Sequence, residues 1–450
     1  MYMKQLFNYI ILVPAFAVMA SCSQKLDEIK PDTQITFDQL NDNNLPLALN
    51  GAKLALTSNN AFYLYYSHQD IMSDDVESIT LTSWESNNVS PTENTLTFMF
   101  RQPYTAIATA NMIIKYGIKN SISEKISATV GEAYLIRAYS YMLLSEHFGG
   151  VVLVYGDEDP KVRRDRNTLA EVQDQIENDL KEAASLLPDY SDARTGSKQA
   201  AQLLLARLYL NQGKNDEAIL LAKDVMDPSK SPLQLGSDFP AIFKSMANSK
   251  ESIYKINETT TPTSDQYGLS YIFGPGKTVG PDYPGSGNNW IDSNLVKSYE
   301  SNDIRKAYFL RAKGASIVDT VYFLMKFSPE TTPSYPVCRL SEAYLIIAEA
   351  KARKGAVEVQ EYNALRTARH ASTVQALDFS SPAEFLDEIE KERRREFVGE
   401  RLRWQDMRRF GKLDNWLSSL GQPATHALLP IPSHEFLVNP DLEQNEDYSK

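Results

Sequence analysis

The residues best suited to chemistry in this chain fall in two aromatic, amide-rich stretches. In the first, Tyr63, Tyr65, Tyr66 and Trp84 stand near Asn87 and Asn88; in the second, Tyr283 and Trp290 stand near Asn288, Asn289 and Asp292. Flat aromatic faces pack on the C–H faces of a pyranose, while amides and carboxylates hydrogen-bond its hydroxyls, so both stretches are candidate sugar-binding segments. Other chemistries lack their constellation. His68, His147, His370, His426 and His434 are scattered without metal-ligand spacing. Asp74, Asp75 and Glu77 lack the alternating oxygen ligands of a calcium loop. No Gly-x-Ser-x-Gly elbow or Walker loop occurs, and Cys338 has no histidine in a recognisable signature to activate it. No catalytic residue, metal or cofactor is therefore expected. A glycoside hydrolase would need two carboxylates about 5–10 Å apart in a cleft, which spacing along a chain does not display.

The run from Glu388 to Arg409 carries Arg393, Arg394, Arg395, Arg401, Arg403, Arg408 and Arg409, but acids interleave with them at helical spacing. Pairs such as Glu392 with Arg395 and Glu400 with Arg403 should neutralise one another, which predicts a structural ion-pair helix rather than an acid–base site. A net charge of −12 argues in the same direction against nucleic acid, whose binding is driven by Lys and Arg meeting phosphate.

Helical period organises what must position these groups. From Ala201 to Met226 apolar and small residues recur at helical spacing on both sides of Gly213, and Leu205, Ala206, Tyr209, Gly213, Ala218 and Ala222 sit at offsets resembling a tetratricopeptide repeat. Such a unit cannot bury its apolar face alone, so neighbouring helical pairs are expected. The string Glu132–Ala138 reappears as Glu342–Ala348, each inside a long helical pattern. The first helix is predicted over Ile122–His147, with Ser121 and Glu124 as a capping box and Gly149-Gly150 as its stop. Further helices are predicted over Tyr104–Tyr116, Leu169–Leu187, Val357–Ala371 and Pro382–Arg409, with strands near Ser252–Ile256 and Thr320–Phe327. Residues 62–103 and 257–294 lack helical period and read as long functional loops.

At the N-terminus Lys4 precedes an apolar run from Leu6 to Ala20, shorter than the roughly 20 residues of a transmembrane helix and typical of a secretory signal. It ends in Met19-Ala20-Ser21-Cys22, the cut site of a lipoprotein signal peptidase, which makes Cys22 the acylated first residue of the mature chain. Lipid on Cys22 contributes about 0.8 kcal/mol per buried methylene, enough with two or three chains for a lasting membrane anchor. Ser23 to about Thr33 then form a polar leash. Only Cys338 remains, so no intramolecular disulfide is available and stability must come from the core. A hydrophobic content of 42% with 10% aromatics supplies one, as in a globular chain.

Several motifs, in order, resemble the SusD/RagB family of nutrient-binding outer-membrane lipoproteins of the Bacteroidetes. They are LPLALNGA from Leu45, EAYLIRAYSYMLLSEHFGGVVL from Glu132, the repeat helix Arg194–Tyr209, RLSEAYLIIAEA from Arg339, and ERRREFVGERLRWQDMRRFGK from Glu392. The C-terminal set is Leu429-Pro430-Ile431-Pro432, Glu435, Asn439-Pro440, Leu442, Gln444-Asn445 and Tyr448. Arg401 and Asp447 stand where that family usually has glycine. The resemblance implies a mainly α fold: a tetratricopeptide-like helical repeat scaffold with long irregular loops and minor strands. It implies a signal peptide over 1–21, a lipid anchor and leash over 22–33, and one nutrient-binding domain over 34–450 with loop insertions at about 62–103 and 257–294. It further implies a cell-surface lipoprotein, not an enzyme, that binds a glycan or, alternatively, a peptide, and serves as lid on a SusC-like TonB-dependent transporter. Lys25-Leu26-Asp27-Glu28 is similar to the family's surface-export signal. The family's ligand residues lie in loops that do not align, so the sugar-binding candidates rest on residue chemistry alone.

Overall fold

Helical period and cap residues set most of the architecture. The computed structural model describes residues 36–57, 61–158, 162–236, 238–244, 249–257, 268–276, 279, 285–314, 319–327 and 334–450. The signal, Cys22 and the leash therefore lie outside the described residues. The chain divides into two units, one ending at Asn44 and one from Leu45 to Lys450. Of the first, residues 36–44 are described and hold a short 3-10 turn at Phe37–Gln39, closed by the Thr36 backbone N–H donating to Gln39 Oε1 at 2.9 Å.

In the second unit α1 (Leu45–Thr57) and α2 (Ala61–Met72) lead to β1 (Val76–Ser78), the single turn α3 (Thr82–Glu85) and the long α4 (Asn94–Lys119). Then follow α5 (Glu124–Phe148), α6 (Leu169–Leu186), α7 (Lys198–Asn211) and α8 (Asn215–Val225), in which α4 packs on α5, α5 on α6, α6 on α7 and α7 on α8. This is the expected stack of helical pairs. Thr168 and Glu171 cap α6 reciprocally, and Gly213, at φ +74°, makes the turn between α7 and α8. Helix α5 is apolar on nearly every face because α1, α4 and α6 all cover it. Its start differs from the expected capping box: Ser123 is the N-cap, without a side-chain bond, and Ser121 has φ +56°. Its stop is as expected at Gly149, φ +76°, where a Cβ would sit 2.9 Å from the Leu428 side chain.

After α8 come β2 (Ser252–Asn257), α9 (Leu269–Phe273), β3 (Asn289–Ile291), α10 (Ser293–Lys297), β4 (Phe309–Lys313), β5 (Thr320–Leu324) and β6 (Ser334–Arg339). Strands β2 and β6 pair antiparallel, and β6 runs straight into α11 (Leu340–Arg353). Helix α11 carries the second copy of the repeated string and packs on α8 and on the following α12 (Gln360–Ala368) and α13 (Pro382–Phe397). Tyr362, Leu365, Phe385 and Ile389 close an apolar cluster there. The predicted single helix Pro382–Arg409 is two: α13 ends before Gly399, φ +78°, and α14 (Arg403–Arg409) starts anew, followed by α15 (Leu413–Ser419) and α16 (Ser433–Val438). A Cβ at Gly399 would meet the Leu324 side chain at 2.7 Å, so close packing against β5 fixes the break. Arg401 and Asp447, in place of the family glycines, both hold left-handed backbones, φ +55° and +65°. At Arg401 the strain is offset by burial of its guanidinium over the Tyr139 ring and an ion pair to Glu146 at 2.8 Å.

The loop expectation for residues 62–103 is overturned. That stretch holds most of α2, all of β1 and α3, and the first turns of α4. Tertiary burial overrode weak local periodicity, because a helix packed on several sides needs no single apolar stripe.

Candidate functional site

Four short strands, in the order β1-β3-β5-β4, form an antiparallel sheet that brings the two candidate stretches together. In its register Val76 faces Ile291, Glu77 faces Trp290 and Ser78 faces Asn289. Alternation then sorts the side chains. Val76, Ser78, Asn289 and Ile291 are buried, whereas Glu77 is exposed and Trp290 half-buried beside it. Partial burial and the negative charge of Asp292 raise the Glu77 pKa above its ordinary value, and the neighbouring Trp290 side chain offsets part of that. Glu85 is raised too, by partial burial and by Glu77, against a hydrogen bond from the Ser78 backbone. The Ile79 N–H donates to the Asn288 carbonyl at 3.1 Å and extends the strand pair, leaving Ile79 39% exposed at the rim. Asn288 is half-buried and Asn88 exposed, and neither side-chain amide is engaged among the described residues.

The remaining candidates are structural. Tyr65, Tyr66 and Trp84 are each 1% exposed. Tyr65 donates its hydroxyl to the Met99 carbonyl, Tyr66 donates to that of Pro336 at 2.6 Å, and Trp84 packs edge-on to His68 at 4.5 Å. Burial pushes that histidine down to about 3, so the ring pair stays neutral. Asn87, at φ +52°, donates its amide to the Met72 carbonyl at 2.9 Å. Asn289 accepts from Ser78 Oγ at 2.6 Å and donates to the Ile272 carbonyl at 2.9 Å. Asp292 caps α10 by accepting from the Leu295 N–H at 2.9 Å and lies 3.6 Å from Arg394. Most of these polar groups are turned into the fold: Asn289 is bonded within it, Asp292 caps a helix, and Asn87 is buried with its Oδ1 unbonded among the described residues. The Tyr63 side chain and Tyr283 lie outside the described residues. Asp74 and Asp75 answer to arginines, Arg403 with Asp74 at 2.6 Å and Arg394 with Asp75 at 2.6 Å, and no metal-holding cluster occurs among the described residues.

Reasoning from residue type missed Glu85 and considered Glu77 only for calcium. The signal that finds Glu77 is the buried–exposed–buried pattern of β1, which turns one acid outward between two buried neighbours. The accessible set, an indole beside a carboxylate with the unengaged amide of Asn288 two residues away on the same segment, can stack on a sugar face and bond its hydroxyls.

The arginine run is a structural ion-pair system as expected, but its partners are mostly distant in sequence. Glu392 does pair with Arg395 at 2.8 Å. Glu400 instead holds Lys326 at 2.6 Å and Arg339 at 2.8 Å, and Arg403 turns to Asp74. Glu396 joins Arg305 at 2.8 Å, Arg369 at 2.7 Å and Arg339. Burial alone would raise the Glu392 pKa, but Arg305, Arg395 and Arg366 outweigh it and hold the group at about 2.

Comparison with known proteins agrees with this architecture. The SusD family profile matches residues 167–448, and a SusD-like profile described as starch-binding and associating with the outer membrane matches residues 24–210. The chain is similar to SusD-like protein P2 of Formosa agariphila, 27% identical over 398 residues covering 76% of this chain and 79% of the relative. It also matches SusD-like protein P38 of that organism, 21% identical, covering 98% of each. A SusD superfamily structure from Bacteroides thetaiotaomicron superposes with TM-score 0.77 at 24% identity over 90% of this chain and all of the other. A laminarin-binding SusD-like protein gives 0.78 at 24% over 91% of this chain and 100% of its own, and surface glycan-binding protein A of Bacteroides fluxus gives 0.73 at 22% with the same coverage. These superpositions establish a shared helical repeat fold.

Proposed function

This chain belongs to the SusD family, and from that premise we propose that it captures a glycan or oligosaccharide on the face built by Glu77, Asn288 and Trp290. It then hands the ligand to a partner SusC-like TonB-dependent transporter, while lipid on Cys22 holds it at the outer-membrane surface. The observation that carries this reading is Trp290, an indole left half-exposed in a chain whose other candidate aromatics within the described residues are sealed. A half-exposed indole beside an exposed carboxylate costs some solvation unless a ligand covers it, which suits a sugar ring with equatorial hydroxyls at its edge. The family description as starch-binding and outer-membrane-associated supports the reading, as do relatives named for laminarin and surface-glycan binding. Among the described residues no helix is long and apolar enough to cross a membrane, which fits a chain held by lipid.

Residues 34–450 act in this proposal as one nutrient-binding domain behind the signal and leash. The ligand is bound without being cut. A peptide is the alternative ligand, since an indole with carboxylates also accommodates a peptide carrying a basic or apolar side chain. The test is a titration of the purified full-length chain against laminarin, starch-type and other polysaccharides, oligosaccharides and a peptide panel. Saturable binding to one glycan class that is weakened by Trp290→Ala supports the proposal. Binding of peptides and no glycan overturns it in favour of the alternative, and release of reducing ends from the bound polysaccharide overturns the non-enzymatic part.

A further inference from the structure

A cavity of about 210 Å3 lies among α5, α6, α7 and α14, away from the strand face just described. Its polar wall comes from Glu146, Gln173, Asn211, Gln405, Arg408 and Arg409. Arg408 is the exception in the arginine run. Arg393, Arg394, Arg395, Arg401, Arg403 and Arg409 each hold a carboxylate at 2.8 Å or less. Arg408 donates only to neutral oxygens, Gln405 Oε1 at 3.0 Å, the Ala427 carbonyl at 2.7 Å and, at 3.4 Å, the Glu146 carbonyl, and no carboxylate pairs with it among the described residues.

The surrounding charges do not compensate. Glu146 is taken by Arg401 at 2.8 Å. Glu349 is shared by Arg353 at 2.8 Å, Arg409 at 2.6 Å and Arg393 at 3.8 Å, and Asp406 by Arg393 at 2.8 Å and Arg409 at 2.7 Å. Five guanidinium groups thus divide these three carboxylates, and Asp414, the further acid whose charge acts on Arg408, is exposed and forms no ion pair with it among the described residues. Burial opposes ionisation of Glu146, Glu349 and Asp406, but the arginines outweigh it and keep all three anionic, so the surplus is one of positive charge. A partly buried cation without a counter-ion is costly, and burial pushes the Arg408 guanidinium down accordingly.

Donors as well as charge are left over in this wall. Gln173 Oε1 accepts from Gln212 at 3.2 Å and Asn211 Oδ1 accepts from Arg409 at 2.8 Å. The amide nitrogen of each is thereby oriented as a donor with no partner among the described residues, and Arg408 Nε is likewise unengaged. We propose that this cavity is a second ligand site, taking the carboxylate of a small organic acid, with Arg408 as the charged contact and Gln173 and Asn211 as neutral donors. A space of about 210 Å3 has room for a single acidic monosaccharide or for an acidic side chain of a peptide. The Arg fork matches a carboxylate in a way that no neutral sugar hydroxyl does. The site does not depend on the glycan reading of the Trp290 face.

The test is calorimetric titration of the full-length chain, in chloride-free buffer, with acetate, glucuronate, acetylglycine and neutral glucose. Saturable binding of the carboxylates, with glucose silent, is expected, weakened about tenfold or more by Arg408→Met. Because Arg408 also ties down the Ala427 carbonyl, a second variant is decisive if the first does not fold. Leu169→Trp narrows the cavity at a 43% exposed lining residue without touching those bonds, and should weaken binding similarly. Preference for glucuronate assigns the site to sugar acids, and preference for acetylglycine assigns it to peptide carboxylates. Absence of carboxylate binding at millimolar concentration, or binding unchanged in Leu169→Trp, overturns the proposal.

Discussion

The arginine run of α13 and α14 and the strand face of Glu77 and Trp290 are both dense in polar groups, yet they dispose of them in opposite ways. In the first nearly every charge meets an opposite charge from another element, with Glu396 alone touching arginines from three other parts of the chain. On the second, a carboxylate and the Asn288 amide remain unpaired among the described residues, beside an indole. The density of functional groups therefore does not mark a binding surface. Unengaged donors and acceptors do, and these become visible only after the fold has used the rest.

The comparison can be broken at its strongest point first. Trp84 was a sugar-binding candidate by type, but at 1% exposure its replacement by Ala should destabilise the fold by about 3–5 kcal/mol, read as a lowered urea midpoint. A stable Trp84→Ala variant with lost glycan binding would return that residue to the site. Glu396→Gln should cost at least about 3 kcal/mol in the same measurement, since it strips the shared charge from three buried guanidiniums. Near-wild-type stability would mean that the network is redundant.

The pH dependence of unfolding separates the two regions further. Glu392 is depressed from 4.5 to about 2 in the folded chain, so its contribution is fully present above the unfolded pKa and is lost as pH falls from about 4.5 towards 2. Glu77 is raised, so it contributes in the opposite sense and favours the folded state slightly more at acid pH. Denaturant titrations should thus show stability falling with acidification below pH 4.5, and a Glu392→Gln variant should flatten that slope. On the face itself, Trp290→Ala should weaken glycan binding by at least about 1 kcal/mol with an unchanged melting temperature. A loss of stability instead would move Trp290 into the core class. The smallest effect is expected of Asn288→Ala, about 0.5–1.5 kcal/mol of binding and none of stability, because its amide holds nothing in the fold.

Much of the scaffold was legible beforehand because it rests on local rules. The α7–α8 unit around Gly213, the Gly149 stop of α5 and the cap of α6 follow from period, small residues and cap chemistry within a few positions. Strands β2 and β5 were legible too, within two or three residues of their ends. Residues 62–103 were misread because α2 is buried on several faces and shows no clean stripe. The helix break at Gly399 was missed because its cause, the Leu324 side chain, is contributed by β5.

By itself the sequence determined the helical repeat scaffold and the family, since these depend on composition and on patterns short enough to read along the chain. Only the tertiary structure decided which aromatics are core and which face is open. It also decided where Glu400 and Arg403 find their charges, and that Arg408 finds none. The reason is that burial and hydrogen-bond satisfaction belong to pairs of groups brought together across the fold, and a residue's own type carries no record of its partner.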